Sequence, residues 1–373
     1  MKYYIIAGEA SGDLHGANLI KAIQREDKDA EFRIWGGDQM QATGAYLVSH
    51  YKEMAFMGFV GVIKNIFKII RRISFCKKDI KQYQPDALIF IDYSGFNLRI
   101  AKWAKPFNFR KFYYISPQVW ASRSGRIKLI KATIDKMFCI LPFEKEFYAK
   151  HQYEVEYVGH PLVDVIAQFE PDPHFEKKHL LDNRPIIALL PGSRKQEIKS
   201  VLAIMASIIP KYQQYQFIVA CAPSISDNIY KELLQDYTEV DVGLVRNKTY
   251  ELLYRAFAAI VTSGTATLET ALFDVPQVVV YKGSALNYAI AKKVIQVDYI
   301  SLVNLISEKE VVKELIQDVF NERTLESELE KLIDGPARFT ILENYKKLKT
   351  LLGEPGAASK TAKSIVQLTP SKQ

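Results

Sequence analysis

Ile186-Ile187-Ala188-Leu189-Leu190-Pro191-Gly192-Ser193-Arg194-Lys195-Gln196-Glu197-Ile198 is the stretch on which the reading of this chain turns. It opens with a short apolar run, the pattern of a strand buried on both faces. Pro191-Gly192 breaks the run, Ser193 is placed to cap a helix, and an amphipathic helix is predicted over about 197–209. A glycine turn at a helix start leaves backbone N–H groups unpaired, which suits a phosphate. Arg194 adds a planar guanidinium able to grip phosphate oxygens in bidentate fashion. The same pattern also fits an ordinary strand-to-helix turn with a solvated arginine.

A second stretch tips that balance. Ala259-Ile260-Val261-Thr262 reads as another buried strand, and Ser263-Gly264-Thr265-Ala266-Thr267-Leu268-Glu269 is again a small-residue turn into a helix. In an open parallel sheet such turns gather at the carboxyl edge, where ligands bind. Glu269 falls about one turn into its helix, placed to accept hydrogen bonds from a ribose diol; it also suits a carboxylate favoured by the helix dipole. Two turns of this kind, one with Arg194 and one with Glu269, favour a nucleotide diphosphate site. Apolar runs at 217–222, 241–245 and 277–281 alternate with helical patterns around them, which makes a doubly wound domain. Acidic-basic helices are predicted from Lys309 to Leu352, and a polar tail follows from Ser359. The polar, proline-rich Phe169-Glu170-Pro171-Asp172-Pro173-His174 reads as the connector that precedes this half.

Outward to the amino-terminal side, Tyr3-Tyr4-Ile5-Ile6-Ala7 is a strand and Gly8-Glu9-Ala10-Ser11-Gly12-Asp13-Leu14-His15-Gly16 a glycine-rich turn into a helix. The spacing departs from the dinucleotide fingerprint and no acidic residue closes the next strand, so a NAD site is disfavoured. His15 is placed to donate to a phosphate or a carbonyl, and equally suits the head of an ordinary helix. Asp86 to Ile91 is a buried strand, and Asp92 stands at its carboxyl end. That position makes Asp92 the general-base candidate of this half; the alternative is a turn-forming aspartate that caps the next helix. Strands at 111–115, 137–141 and 155–158 complete the half. His160 has no second His or Cys at ligand spacing, so a zinc site is disfavoured.

Between these strands lies a segment of a different kind. Phe56, Met57, Phe59, Val60 and Ile63 precede and enter a helical pattern that carries Lys64, Lys68, Arg71 and Arg72 on another side. A helix apolar on one face and basic on the other suits an anionic membrane surface; a core helix with a solvated basic face fits the same pattern.

The whole chain sets bounds on these readings. Its 373 residues suffice for two domains. Apolar residues at 48% and charged residues at 25% describe a folded globular chain and leave no room for extensive disorder. The net charge of +8 comes with no nucleic-acid motif, so nucleic acid is disfavoured as a partner. Cys76, Cys139 and Cys221 are far apart and mostly in apolar contexts, which points to a reducing cytoplasm. Lys2 to Ile6 already reads as strand, so no cleavable signal is expected, and no uncharged run is long enough to span a bilayer.

Several of these segments together resemble the lipid-A-disaccharide synthase family, within the B-fold nucleotide-sugar glycosyltransferases. They are Gly8-Glu9-Ala10-Ser11-Gly12-Asp13, Met57-Gly58, Ser116-Pro117 with Val119-Trp120, Leu141-Pro142-Phe143-Glu144, and Val158-Gly159-His160-Pro161. The series continues with Leu190 to Arg194, Ser263 to Glu269, and Tyr299 to Leu305. Gly95 stands where the family often has a second Asp, and Val303 replaces a proline beside Asn304.

The resemblance implies two Rossmann-like doubly wound α/β domains facing a central cleft. An acceptor- and membrane-facing domain over residues 1–168 would precede a UDP-sugar domain over 169–340. A helical tail over 341–373 would pack back on the first domain or on a partner subunit, a homodimer being one state open to the chain. The implied reaction transfers 2,3-diacylglucosamine from UDP-2,3-diacylglucosamine to 2,3-diacylglucosamine 1-phosphate (lipid X), with inversion and without metal or cofactor. Asp92 would be the base, and Arg194 would stabilise the leaving UDP. Gly192, Ser193, Gly264, Thr265, Ala266, Glu269 and Asn304 would line the donor site. Glu9, Ser11, Gly12, His15 and Trp120 would face the sugars or the acceptor phosphate, and domain closure would bring Asp92 to the anomeric carbon. The expected location is the cytoplasmic face of the inner membrane. The alternatives are another UDP-N-acetylglucosamine transferase or epimerase of the same fold, or a silent UDP-sugar-binding membrane module.

Overall fold

A computed structural model describes residues 1–54, 66–122, 124–237, 242–284, 288 and 297–370. Contacts divide the chain into two compact units: Met1–Asp164 with Glu354–Gln373, and Val165–Gly353.

Unit 1 is built on seven parallel strands, β1 (Lys2–Ala7), β2 (Glu31–Gly36), β3 (Tyr46–His50), β4 (Ala87–Ile91), β5 (Arg110–Tyr114), β6 (Lys136–Cys139) and β7 (Glu156–Tyr157). Their spatial order is β3-β2-β1-β4-β5-β6-β7. The central strands are apolar at nearly every position because both faces are covered. Alternate side chains divide between two cores: Tyr3, Ile5, Ile34, Ile89 and Phe112 on one face, and Tyr4, Ile6, Trp35, Leu88, Phe90 and Tyr113 on the other. On the first face lie the helices Ala10–Glu26 and Ala357–Leu368, through Ala17, Ile20 and Ile23 against Ala358, Ala362 and Ile365. The final helix starts on Asp164, whose carboxylate accepts the N–H groups of Gly356 at 2.5 Å, Ala357 at 3.2 Å and Ala358 at 3.1 Å. A carboxylate there meets unpaired N–H groups and the positive end of the helix dipole.

Unit 2 repeats the scheme with β8 (Ile186–Leu190), β9 (Gln216–Cys221), β10 (Val242–Arg246), β11 (Ala256–Thr262), β12 (Gln277–Tyr281) and β13 (Glu314–Ile316), in the order β10-β9-β8-β11-β12-β13. The strands of this sheet also pair in parallel. β13 corrects the expectation of unbroken helices from Lys309: Leu315 is buried at the sheet edge, and helices resume at Glu322–Ile333 and Pro336–Leu352. The helix after β8 runs Lys195–Ser207, two residues ahead of the predicted span. The reason is local: Arg194, not Ser193, is its N-cap, with extended backbone and no side-chain cap.

Candidate functional site

Parallel strands open all their strand-to-helix turns on one edge of the sheet. In unit 1 the turns after β1, β4, β5 and β6 are therefore neighbours, in sheet order. Asp92 occupies the turn after β4 in a left-handed conformation, φ +42°, and Tyr93 follows at φ +45°. Non-glycine residues there cost about 1–3 kcal/mol each and persist only when the surroundings hold them. The Asp92 carbonyl accepts the Tyr113 hydroxyl at 2.5 Å and the Asn97 amide at 2.8 Å. The Tyr93 ring lies on Gly8, where any Cβ would collide with it. Tyr93, not Asp92, then caps the helix Ser94–Ala104, so the Asp92 side chain is not spent on a cap. Burial pushes the Asp92 carboxyl up to about 6, the charge of Glu9 adds to the rise, and the Tyr93 N–H opposes it. Gly95 is exposed nearby, and a Cβ on it would meet nothing within 4 Å.

Glu9 caps the helix Ala10–Glu26 without a side-chain bond, and Glu9 and Ser11 are exposed at its start. Gly12 is buried against Ala7. His15 faces inward: burial lowers its pKa to about 4, against the charge of Asp164. Its Nδ1 has no partner among the described residues. Burial and His15 lower His160 in turn to about 3, so both imidazoles are neutral at physiological pH. Trp120 is half-buried and donates its indole N–H to Glu144 at 3.2 Å.

In unit 2 the turn after β8 carries Gly192 at φ +99°. A Cβ there would come within 2.9 Å of the Glu197 carboxylate, so the turn is closed to larger residues twice over. Ser193 and Arg194 are exposed, and Arg194 pairs with Glu197 at 2.7 Å. That pair draws the guanidinium toward the first turn of the Lys195–Ser207 helix. After β11, Gly264 caps the helix Thr265–Leu272, with Thr265 exposed and Ala266 half-buried. Glu269 lies one turn in; the Tyr250 hydroxyl donates to it at 3.2 Å, and burial raises its pKa against that bond.

Asn304 is placed differently. It is fully buried. Its amide nitrogen donates to the Val312 carbonyl at 2.8 Å and to Glu314 at 2.9 Å. Its amide oxygen accepts the N–H groups of Val311 at 2.7 Å and Val312 at 3.0 Å. Every hydrogen-bonding position of that amide is filled, so a direct contact of its side chain with a ligand is replaced by support of the chain. Glu314 also accepts the N–H groups of Ile300 and Ser301, both at 2.9 Å. The Ser263 hydroxyl donates to the Ile300 carbonyl at 2.8 Å. Asn304 and Glu314 thereby brace the turn that carries Ser263 and Gly264.

Of the basic apolar segment, Phe56, Met57, Phe59, Val60, Ile63 and Lys64 lie outside the described residues. Its continuation is the helix Ile66–Tyr83. Phe67 is 84% exposed and Ile70 56%. Lys68 and Arg71 are exposed beside them, and Arg72 pairs with Glu53 at 3.4 Å. Core contact comes from Cys76 and Ile80 further along. Among the described residues no helix is long and apolar enough to cross a membrane. Nor could any cluster of three or more His, Cys, Asp or Glu there hold a metal ion.

Sequence reasoning did not single out Tyr250, Glu314 or Asp164, whose partners are distant in the chain. Glu144 carries a signal that the sequence does show, a carboxylate just after a strand-Pro turn.

Comparison with known proteins agrees with this architecture. Residues 3–368 match the family described as lipid-A-disaccharide synthetase. The lipid-A-disaccharide synthase of Syntrophus aciditrophicus (strain SB) is 39% identical over 375 residues, covering 99% of this chain and 97% of the relative. Among solved structures, UDP-GlcNAc 2-epimerase from Neisseria meningitidis, bound to UDP-GlcNAc, superposes with a TM-score of 0.65 at 13% identity, covering 98% of this chain and 100% of that one. A calicheamicin glycosyltransferase superposes at 0.63 with 13% identity, covering 99% of each. These structures share the two-domain α/β fold of B-type glycosyltransferases, and the sequence match over nearly the full length is narrower: the chain belongs to the lipid-A-disaccharide synthase family.

Proposed function

We propose that this glycosyltransferase moves 2,3-diacylglucosamine from its UDP derivative onto the 6-hydroxyl of 2,3-diacylglucosamine 1-phosphate, with inversion, and that Asp92 is the base. The observation that carries the assignment is the state of Asp92: half-buried, uncommitted to a cap, and held in a left-handed conformation at a strand end by the Tyr113 and Asn97 bonds to its carbonyl. Its carboxyl, raised to about 6, is ionised at neutral pH yet basic enough to take a proton as the hydroxyl attacks. Unit 2 would hold the donor: N–H groups around Gly192 and Ser193, together with Arg194, face the diphosphate and stabilise charge on the leaving UDP. Glu269 accepts from the ribose while Tyr250 fixes its carboxylate, and the Gly264-Thr265-Ala266 turn gives close backbone approach. Glu9, Ser11, Gly12 and Trp120 line the acceptor side; His15, neutral and buried, acts from behind the first turn. Incubation with both lipid substrates and detection of released UDP tests the assignment. Asp92→Asn should fold and bind UDP but turn over on the order of 100-fold more slowly; near-normal turnover rejects Asp92 as base.

A second reading concerns place of action. Phe67 and Ile70 stand in solvent beside Lys68 and Arg71, a costly arrangement unless another apolar phase covers it. The segment Phe56 to Arg72 is therefore assigned to reversible contact with an anionic bilayer that carries the acyl substrates.

A further inference from the structure

Glu144 is buried, 1% exposed, at the first position of the helix Glu144–Lys150. One carboxylate oxygen accepts the Ser116 hydroxyl and the Trp120 indole N–H at 3.2 Å. The other accepts the backbone N–H groups of Ile140 at 3.2 Å and Leu141 at 3.0 Å. The partners come from the turns after two adjacent strands, β5 and β6, so the side chain ties one loop to the other. The tied loop starts in an unfavourable state: Ile115, just before Ser116, has φ +64°. A β-branched residue adopts that conformation only under strong constraint. Trp120 is further fixed edge-on to Phe143, ring centroids 5.0 Å apart at 89°.

All four partners are donors, and only an ionised carboxylate accepts from all of them. An amide would set its NH2 against at least one N–H, and a protonated carboxyl would keep its contacts only by turning the Ser116 hydroxyl from donor to acceptor. Burial works in the other direction and raises the pKa to about 7, while the four hydrogen bonds pull it down. The titratable groups that face it are Cys139 on β6, Tyr148 on its own helix and Tyr157 on β7. Burial raises each of these as well, so they stay neutral and Glu144 is the group that changes charge near neutrality. A carboxylate this costly to bury calls for a purpose beyond packing.

We propose that Glu144 is a positioning residue for the acceptor: its carboxylate clamps the 115–120 loop and aims Trp120 at the acceptor sugar. The inference rests on the reading of Trp120 as part of the acceptor side. Glu144→Gln cannot satisfy more than two of the four donors, and its effect is read in two ways. Trp120 emission, isolated by subtracting the spectrum of the matching Trp120→Phe protein, should shift to the red. In the parent it should titrate near neutral pH, and in Glu144→Gln it should not. KM for the acceptor should rise about ten-fold, the equivalent of one good hydrogen bond, with donor KM and kcat changed less than about two-fold. Glu144→Gln/Trp120→Phe should be no worse than either single variant, because one residue acts through the other. Should Glu144→Gln not fold, Ser116→Ala removes one donor, keeps the charge, and should give a smaller shift of the same kind. Unchanged emission, additive effects in the double variant, or equal changes in donor and acceptor KM overturn the proposal. An unchanged acceptor KM beside shifted emission also overturns it and leaves the reaction assignment standing. Absence of transfer by the parent itself rejects the reaction assignment, and is seen before any variant is made.

Discussion

Replacing Glu9 by Gln should move the acid limb of the rate profile to lower pH. The Asp92 carboxyl is held at about 6 rather than 3.8, first by burial and second by the charge of Glu9. If Asp92 is the base, kcat/KM follows its ionised fraction in the free enzyme, about nine-tenths at pH 7 and about one-tenth at pH 5. An aspartate at 3.8 would lose almost nothing over that range. Glu9 is exposed, so its repulsion is that of charges in a water-like medium. A repulsion of about 0.5 kcal/mol, half of the roughly 1 kcal/mol between touching charges in water, amounts to about 0.4 of a pH unit. Glu9→Gln should therefore roughly double the share of activity kept at pH 5 relative to pH 8, even if the plateau falls through lost acceptor contacts. Initial UDP release at subsaturating acceptor between pH 5 and 9 measures the profile. Glu144 also titrates near neutrality, but the Glu9 substitution leaves it untouched, so a displacement of the limb reports Asp92. A parent profile flat from pH 8 to 5, or a limb that stays in place in Glu9→Gln, refutes the reasoning.

Asp92→Asn has a stability signature as well: a raised carboxyl favours the fold below its unfolded value near 3.8 and loses that contribution as pH rises through about 6. The variant should thus melt higher than the parent at pH 8, with the gap about halved at pH 5 and closed only near pH 4 and below, as scanning calorimetry would show. Arg194→Ala should weaken UDP by about 1.5–3 kcal/mol; unchanged affinity in titration calorimetry would return Arg194 to its surface pair with Glu197. Binding to anionic vesicles should weaken without vanishing at high salt, since basic contacts are screened and apolar ones are not. Replacing Phe56, Met57 and Phe59 by Ser should remove the salt-resistant part and slow turnover on vesicle-borne acceptor more than on detergent-dispersed acceptor. Equal behaviour of parent and triple variant in flotation and in both assays would reject the membrane assignment.

What could be read from the chain divides along a physical line. β8, β11 and β4 were legible because a strand buried on both faces is an apolar run, and the turn that ends it carries its own small or acidic residues. Gly192, Gly264 and Asp92 followed from those strand ends. The cap of the helix after β8 was misplaced by one residue, since Ser193 and Arg194 compete for it and backbone geometry decides. Asn304 enters the donor site through the resemblance alone; Glu314 and the Val311-Val312 backbone, which occupy its amide, are neighbours only after β13 joins the sheet. The basic apolar segment is open to two readings for a related reason. Periodicity identifies an apolar stripe and does not say what lies against it.

The carboxylate of Asp164 caps a helix whose first turn lies 192 residues further along the chain. During synthesis at about 5–20 residues per second, roughly 10–40 s separate the emergence of the two partners. Through that interval Ala17, Ile20 and Ile23 lack the Ala358, Ala362 and Ile365 side of their core. The amino-terminal unit thus leaves the ribosome first and is completed last, and a nascent chain arrested before Ala357 presents an open apolar face to chaperones and to other unfinished copies.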